Sequence, residues 1–199
     1  MARIEPLEST DLCPEGQALV EQYAAATGLR PNVVRTLAHA PSVLRHLLGM
    51  FGGLTSGTLD PALMEQIALA VAQANGCTYC LSAHAALGEK TGLCADRIDD
   101  SRWAMDPDPG REAVLQFTRA LVINRGKVAD GDVEALRAAG FSDGALVELI
   151  AFVSMHVFLN LMAEAAQTPI DFPKVCPHGP CTERPQPATH ADPAHGEDR

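Results

Sequence analysis

Aromatic side chains are scarce, with one Trp, two Tyr and six Phe in 199 residues. Together with the frequent Ala and Leu, that scarcity argues against a β-sandwich, whose strands draw on β-branched and aromatic residues, and favours close-packed helices. Bases are short as well. Fifteen Lys and Arg against 25 Asp and Glu leave a formal net charge of −10. The chain therefore lacks the basic surface that nucleic acid or an anionic membrane selects, and neither partner is expected. The opening residues, MARIEPLEST, carry charges and no apolar run. No export signal is expected from them, and a cytoplasmic location is the expectation. The most apolar stretch, Leu149 to Ala163, is interrupted by Ser154, His156 and Asn160. It falls short of the ~18 residues a membrane span needs. What is abundant is core material: 47% of residues are hydrophobic and 20% charged, enough to bury one sizeable domain.

Proline, aspartate and glycine punctuate this composition into helices. Pro14, Pro31 and Pro41 each open a segment, at a position where a first helical turn has no use for the missing N–H. Asp60-Pro61 is an N-cap signal for a helix running to about Ala74, where Asn75-Gly76 breaks it. A further helix begins at Cys77 and ends by Gly92. Residues 105–110, MDPDPG, read as a linker. Val114, Phe117, Thr118, Leu121 and Val122 then trace one helical face. A short helix follows from Asp130 to Gly140, and a long apolar one from Asp143 to about Ala166. The expected fold is all-α, with about seven or eight helices.

Two of these helices resemble each other. DPALMEQI (Asp60 to Ile67) and DGALVELI (Asp143 to Ile150) share Asp, Ala, Leu, Glu and Ile, each shifted by 83 positions (143 against 60). An internal duplication would put Asn160 where Cys77 stands, Ala163 where Cys80 stands and Glu148 where Glu65 stands, so that only the first half carries thiols. Past Pro173 the aromatics disappear, proline recurs, and His178, His190 and His195 are scattered among polar residues. The expected division is a helical domain over 1–175 and a disordered tail over 176–199.

Six cysteines occur at positions 13, 77, 80, 94, 176 and 181. Uneven spacing without an export signal argues against a disulfide framework and for redox or metal chemistry. Cys77-Thr-Tyr-Cys80 followed by His84 is the sharpest pattern. On a helix, positions i, i+3 and i+7 fall within an arc of about 60°, so the three side chains share one face. Cys77 directly follows the Asn75-Gly76 break, at a helix N-terminus whose free N–H groups favour thiolate. A thiol of lowered pKa beside a second thiol is what reversible disulfide chemistry needs, and His84 can exchange a proton with Cys80. Glu65 joins the group only if the chain folds back at Gly76. On a continuous helix it would lie about 18 Å from Cys77, whereas in a hairpin it comes within a turn of His84. A carboxylate there orients the imidazole and raises its basicity.

Competing readings exist for each feature. The cysteines could be small core residues, or ligands of a structural zinc that would need a further ligand, such as one from Cys176-Pro-His178-Gly-Pro-Cys181. No metal is assigned. His39 and His46 read as surface or interface residues, and His156, among Val153, Val157 and Phe158, as a core histidine bonded to a carbonyl. Cys13 and Cys94 have no patterned neighbours.

Glu65, Cys77, Cys80 and His84 fall on the E-x11-C-x-x-C-x-x-x-H pattern, and the chain thereby resembles the alkylhydroperoxidase D (AhpD)-like, carboxymuconolactone decarboxylase superfamily. LRPNVVRTLAHA (29–40), AQANGCTYCLSAHAA (72–86) and TPIDFPKV (168–175) carry the likeness further. The resemblance implies an AhpD-like helical fold, homo-oligomeric assembly as a trimer or hexamer, and thiol-dependent reduction of a small hydroperoxide. By position it implies that Cys80 forms the sulfenic acid and that Cys77 protonates the leaving group and closes the disulfide. His84 and Glu65 would relay the proton. No bound cofactor is implied; electrons would come from an external dithiol, such as a lipoyl-bearing redox protein. Tyr79 stands where some members have histidine, which bears on rate and choice of reductant. The alternatives are a non-enzymatic zinc-binding or redox-sensing module, and a lactone decarboxylase-like enzyme, although the decarboxylases proper lack the cysteine pair.

Overall fold

The computed structural model describes residues 2–177. Its helices, in chain order, are α1 (Pro14–Thr27), α2 (Asn32–Leu37), α3 (Pro41–Thr55), α4 (Pro61–Asn75), α5 (Thr78–Lys90), α6 (Ala95–Arg102), α7 (Pro109–Ile123), α8 (Asp130–Ala138) and α9 (Asp143–Ala166). No strand occurs among the described residues. The all-α expectation holds, and the helix count exceeds it by α6. ADRIDDSR carries almost no apolar periodicity and buries only Ile98, Ser101 and Arg102, so nothing in its pattern marks it as helical. Proline opens α1, α3, α4 and α7, and Asp60, Asp108 and Ser142 cap α4, α7 and α9 through their side chains.

Helix α4 is the axle. It packs against α5, α6, α7 and α9, so Ile67, Leu69, Val71 and Ala72 are fully buried on every side of it. One hydrophobic cluster joins α4 to α7, α8 and α9 through Ile67, Leu115, Phe117, Leu136 and Phe152. A second surrounds the two cysteines, and a third joins α1, α2 and α3. Helix α9 has the length and apolarity to cross a membrane. Within this fold it is a core helix against α3, α4, α5 and α7. Ser154, His156 and Asn160 do not interrupt it, because a helix satisfies its own backbone and needs only a place for each side chain.

The expected repeat does not extend to matching environments. Ile67 is buried and Ile150 is 41% exposed. Glu65 meets His84, whereas Glu148 accepts from Thr58 N–H and Oγ1 at 2.9 and 2.7 Å. The first segment turns at Gly76 and α9 runs straight through the corresponding positions. The boundary at 175/176 also shifts. The carbonyls of Cys176 and Pro177 accept from Arg102 and Gln73 at 3.2 and 3.1 Å, so both residues belong to the folded body. Cys181 and the three tail histidines lie outside the described residues.

Residues 105–110 are more than a linker. Pro109 and Gly110 already form the first turn of α7, and the Asp106 carboxylate is fully buried. It accepts from Gln66 Nε2 at 2.6 Å and from Asp108 N–H at 2.8 Å, and it pairs with Arg97. Gln66 also donates to Ser101 Oγ (3.0 Å) and accepts from Arg111 (2.9 Å), so this buried network is closed. Burial pushes the Asp106 carboxyl up, but the Asp108 N–H, the Gln66 amide and the Arg97 guanidinium together hold it below the ordinary range. A carboxyl depressed in the folded state stabilises above its unfolded pKa and loses that contribution as pH falls through the folded value. Asp106→Ala is expected to lower stability at pH 7 by roughly 2–4 kcal/mol, since it strands buried donors. In urea unfolding that deficit should narrow once pH drops below about 4.

Candidate active site

The site begins with the reversal between α4 and α5. Gly76 takes φ +68° and ψ 23°, a left-handed conformation that glycine enters without steric cost. Cys77 then sits at the N-cap of α5, where its Sγ accepts the Cys80 N–H at 3.3 Å. The hairpin brings Glu65 against His84, with Nδ1 donating to Glu65 Oε2 at 2.8 Å and both side chains less than a fifth exposed. With Nδ1–H committed to the carboxylate, Nε2 carries the free lone pair.

Cys77, Cys80, His84 and Glu65 are therefore on one hairpin, as expected. Their access differs. Cys80, His84 and Glu65 line a cavity of about 220 Å³, while Cys77 lies behind them with no exposure. Both cysteines are free thiols. The Cys80 thiol is pushed up by its hydrogen bond to the Cys77 sulfur and by burial, and the Asn160 amide works in the opposite direction. Electrostatics thus holds Cys80 protonated until a base acts, although it is the sulfur that faces the cavity.

The rest of the cavity is mostly apolar. Val33, Val34 and Leu37 come from α2, Leu44, Leu47 and Phe51 from α3, and Phe152, Met155 and Leu159 from α9. Tyr79, inside the C-x-x-C, holds the α2 wall in place: its hydroxyl accepts the Val33 N–H at 3.1 Å, and Phe172 packs edge-on against its ring. Burial pushes the Tyr79 phenol up, which keeps it neutral for that bond. Asp171 reinforces the same helix start by accepting the Asn32 N–H at 2.7 Å.

Helix α9 contributes what the sequence pattern missed. Asn160 and Ala163, instead of standing in a second copy of the site, pack on the first. Asn160 Oδ1 accepts from Asn75 at 2.9 Å, and Ala163 lies in the cysteine cluster. His156 is fully buried and lies edge-on to His84, with ring centroids 4.9 Å apart, and to Phe152 at 4.5 Å. Neither of its ring nitrogens has a hydrogen-bond partner, which overturns the reading of a carbonyl-bonded core histidine. The sequence signal was two polar residues, 156 and 160, one turn apart on the buried face of an apolar helix. His39 and His46 bond the carbonyls of Glu5 and Ser42 at the surface and stand apart from the site. Among the described residues, no group of three or more His, Cys, Asp and Glu is placed to hold a metal ion.

A helical hairpin thus buries two thiols beside a Glu–His pair. The carboxymuconolactone decarboxylase family model matches residues 41–122, a span holding all four residues. An alkylhydroperoxidase AhpD core protein of Ralstonia eutropha JMP134, described as an uncharacterized peroxidase-related protein, superposes with TM-score 0.74 at 28% identity over 85% of this chain and 92% of that one. The debrominase Bmp8, solved in complex with 2,3,4-tribromopyrrole, gives 0.73 at 20% identity over 84% and 91%. A peroxidase-related protein from Silicibacter sp. TM1040 gives 0.71 at 22% over 83% and 91%. No curated protein matches. The chain thus matches the carboxymuconolactone decarboxylase family model over one internal segment and shares the all-helical fold of the AhpD core protein.

Tyr79→Phe removes the acceptor of the Val33 N–H and should cost about 1 kcal/mol or more in urea unfolding. It should also speed hydrogen exchange at Val33. Unchanged exchange there would mean that Asp171 and side-chain packing alone hold α2.

Proposed function

We propose that this protein is a thiol-dependent peroxidase, reducing a small organic hydroperoxide through Cys80 and Cys77 with electrons from an external dithiol such as a lipoyl protein. The observation that carries the reading is the Glu65–His84 pair sharing a cavity with Cys80, one helical turn away, while Cys77 waits behind it. His84 Nε2 takes the proton of Cys80, and the thiolate attacks the terminal oxygen of the hydroperoxide. An S–O bond forms, the O–O bond breaks, and the electron pair leaves on the carbon-bound oxygen. That alkoxide takes the proton of Cys77 and departs as the alcohol. The Cys77 thiolate then displaces hydroxide from the Cys80 sulfenic acid, and hydroxide leaves as water with the proton held on His84. The dithiol restores both thiols by exchange. Glu65 keeps the His84 tautomer correct and offsets the positive charge it gains.

A cytoplasmic homo-oligomer belongs to the same proposal. Val147, Ile150, Phe158 and Leu161 form an exposed apolar stripe on the outer face of α9, beside Val43 and Met50 of α3, and a second copy would cover it. A zinc-binding or redox-sensing module is the competing reading, and the debrominase relative shows that this fold also serves other substrates.

Thiol titration before and after one equivalent of cumene hydroperoxide, with metal analysis, separates the readings. Loss of two thiols without metal is the expected result, whereas stoichiometric zinc with no thiol loss supports the module. Trapping of sulfenic acid should succeed in Cys77→Ser and fail in Cys80→Ser. The opposite pattern would assign the attack to Cys77. His84→Gln should slow peroxide consumption by ~10²-fold, the usual range for a proton-transfer group. The deficit should shrink as pH rises, because hydroxide then ionises Cys80 unaided.

A further inference from the structure

Outside the four motif residues, the most anomalous group in the cavity wall is His156. It lies beyond the segment matched by the family model, which ends at residue 122. Its side chain is buried between the rings of His84 and Phe152, it lines the same cavity as Cys80, and both ring nitrogens lack partners. A buried polar atom without a partner is destabilising. A leucine or phenylalanine would pack there without that penalty. The same molecule satisfies the deeply buried Gln66 amide completely. The ring cannot escape the penalty by turning to solvent, because two aromatic edges clamp it.

We propose that His156 is the polar recognition point of the cavity: its neutral imidazole donates a hydrogen bond to the carbon-bound oxygen of an apolar organic hydroperoxide whose terminal oxygen faces Cys80. This deepens the peroxidase reading and rests on it. The chemistry suits the position. Burial and the neighbouring His84 hold the His156 pKa well below the ordinary value, so the ring keeps one N–H donor and one acceptor and gives up no proton in the reaction. As the O–O bond breaks, negative charge grows on the carbon-bound oxygen before the Cys77 proton arrives. A fixed N–H in a dry pocket is then worth far more than water would be. When His84 holds the Cys80 proton, its charge makes protonation of His156 less favourable still, which preserves the acceptor nitrogen. The walls from α2, α3 and α9 match the apolar body of such a substrate, which hydrogen peroxide lacks.

Two measurements test this. In reduced wild-type protein with labelled histidine, titration with 2-phenyl-2-propanol, the unreactive alcohol corresponding to cumene hydroperoxide, should shift the His156 ring nitrogen signals. Unmoved signals at saturation would overturn the proposal. A shift in a protein that consumes no hydroperoxide would uphold the recognition point and overturn only the peroxidase reading. In the second measurement, His156→Phe keeps the ring stacking and removes both nitrogens. Tm should hold or rise, while kcat for cumene hydroperoxide falls ~10²-fold, the usual cost of losing one such donor. His156→Gln, which retains an N–H, should recover at least about tenfold of that loss. Turnover by His156→Phe within about twofold of wild type would sink the idea. If that variant fails to fold, the alcohol titration still decides.

Discussion

Gly76 is one residue in a left-handed conformation, and the site exists only because of it. Without the reversal, α4 and α5 would be a single rod with Glu65 and His84 far apart along it. With the reversal, their side chains meet at 2.8 Å, and Cys77 is delivered to a helix N-terminus instead of a helix middle. The hairpin in turn needs a rigid partner surface, and α4 supplies it by being buried all round. A non-glycine side chain at 76 would strain the turn. The strain would fall on the sulfurs and the Glu–His contact together, because all three are set by the same few dihedrals.

Around that hairpin the protein treats buried polarity in two ways. At the Gln66–Asp106 network the Gln66 amide and the Asp106 carboxylate are matched, so the polar atoms lock α4, α6 and α7 in register. At the cavity wall, His156 keeps both nitrogens unmatched. Other unpartnered donors, such as Trp103 Nε1, do not line this cavity. A matched network contributes stability and specificity of packing, whereas unmatched donors beside a cavity contribute only when something enters. The two regions are adjacent on α4, which faces one with Gln66 and the other with Glu65.

Most of the site was legible before the fold was known, for a physical reason. Capping and turn signals are local, so Asp60-Pro61 and Asn75-Gly76 announced the hairpin, and the hairpin placed Glu65 near His84. What was not legible depended on contacts distant in sequence. Helix α6 has no apolar stripe because Ser101 and Arg102 are buried through polar partners on α4 and the C-terminal strand of chain. Cys176 and Pro177 looked like tail because proline-rich composition gives no hint that two carbonyls will be needed by Arg102 and Gln73. His156 looked like an ordinary core residue because its missing partners are a property of the packed wall. Sequence similarity between α4 and α9 suggested equivalent roles, and tertiary context assigned them opposite ones: α4 carries the hairpin, and α9 closes the cavity over it.

The division of labour between the two sulfurs follows from their places on the helix turn. Cys77 receives the Cys80 N–H and has no exposure, so it lies behind Cys80 and does not line the cavity. Cys80 meets the cavity, yet its hydrogen bond to Cys77 and its burial hold its proton on. A pair arranged this way is quiet at rest, because the accessible sulfur is protonated and the sulfur at the helix terminus is unreachable. In the proposed reaction, attack requires His84 to act at the moment a substrate is present to benefit. Were Cys80 oxidised as proposed, the hydrogen bond that raises its pKa would be lost, and Cys77 is three residues away on the same turn to close the disulfide. Under that proposal, the same geometry that suppresses idle reactivity favours the second step as soon as the first has occurred.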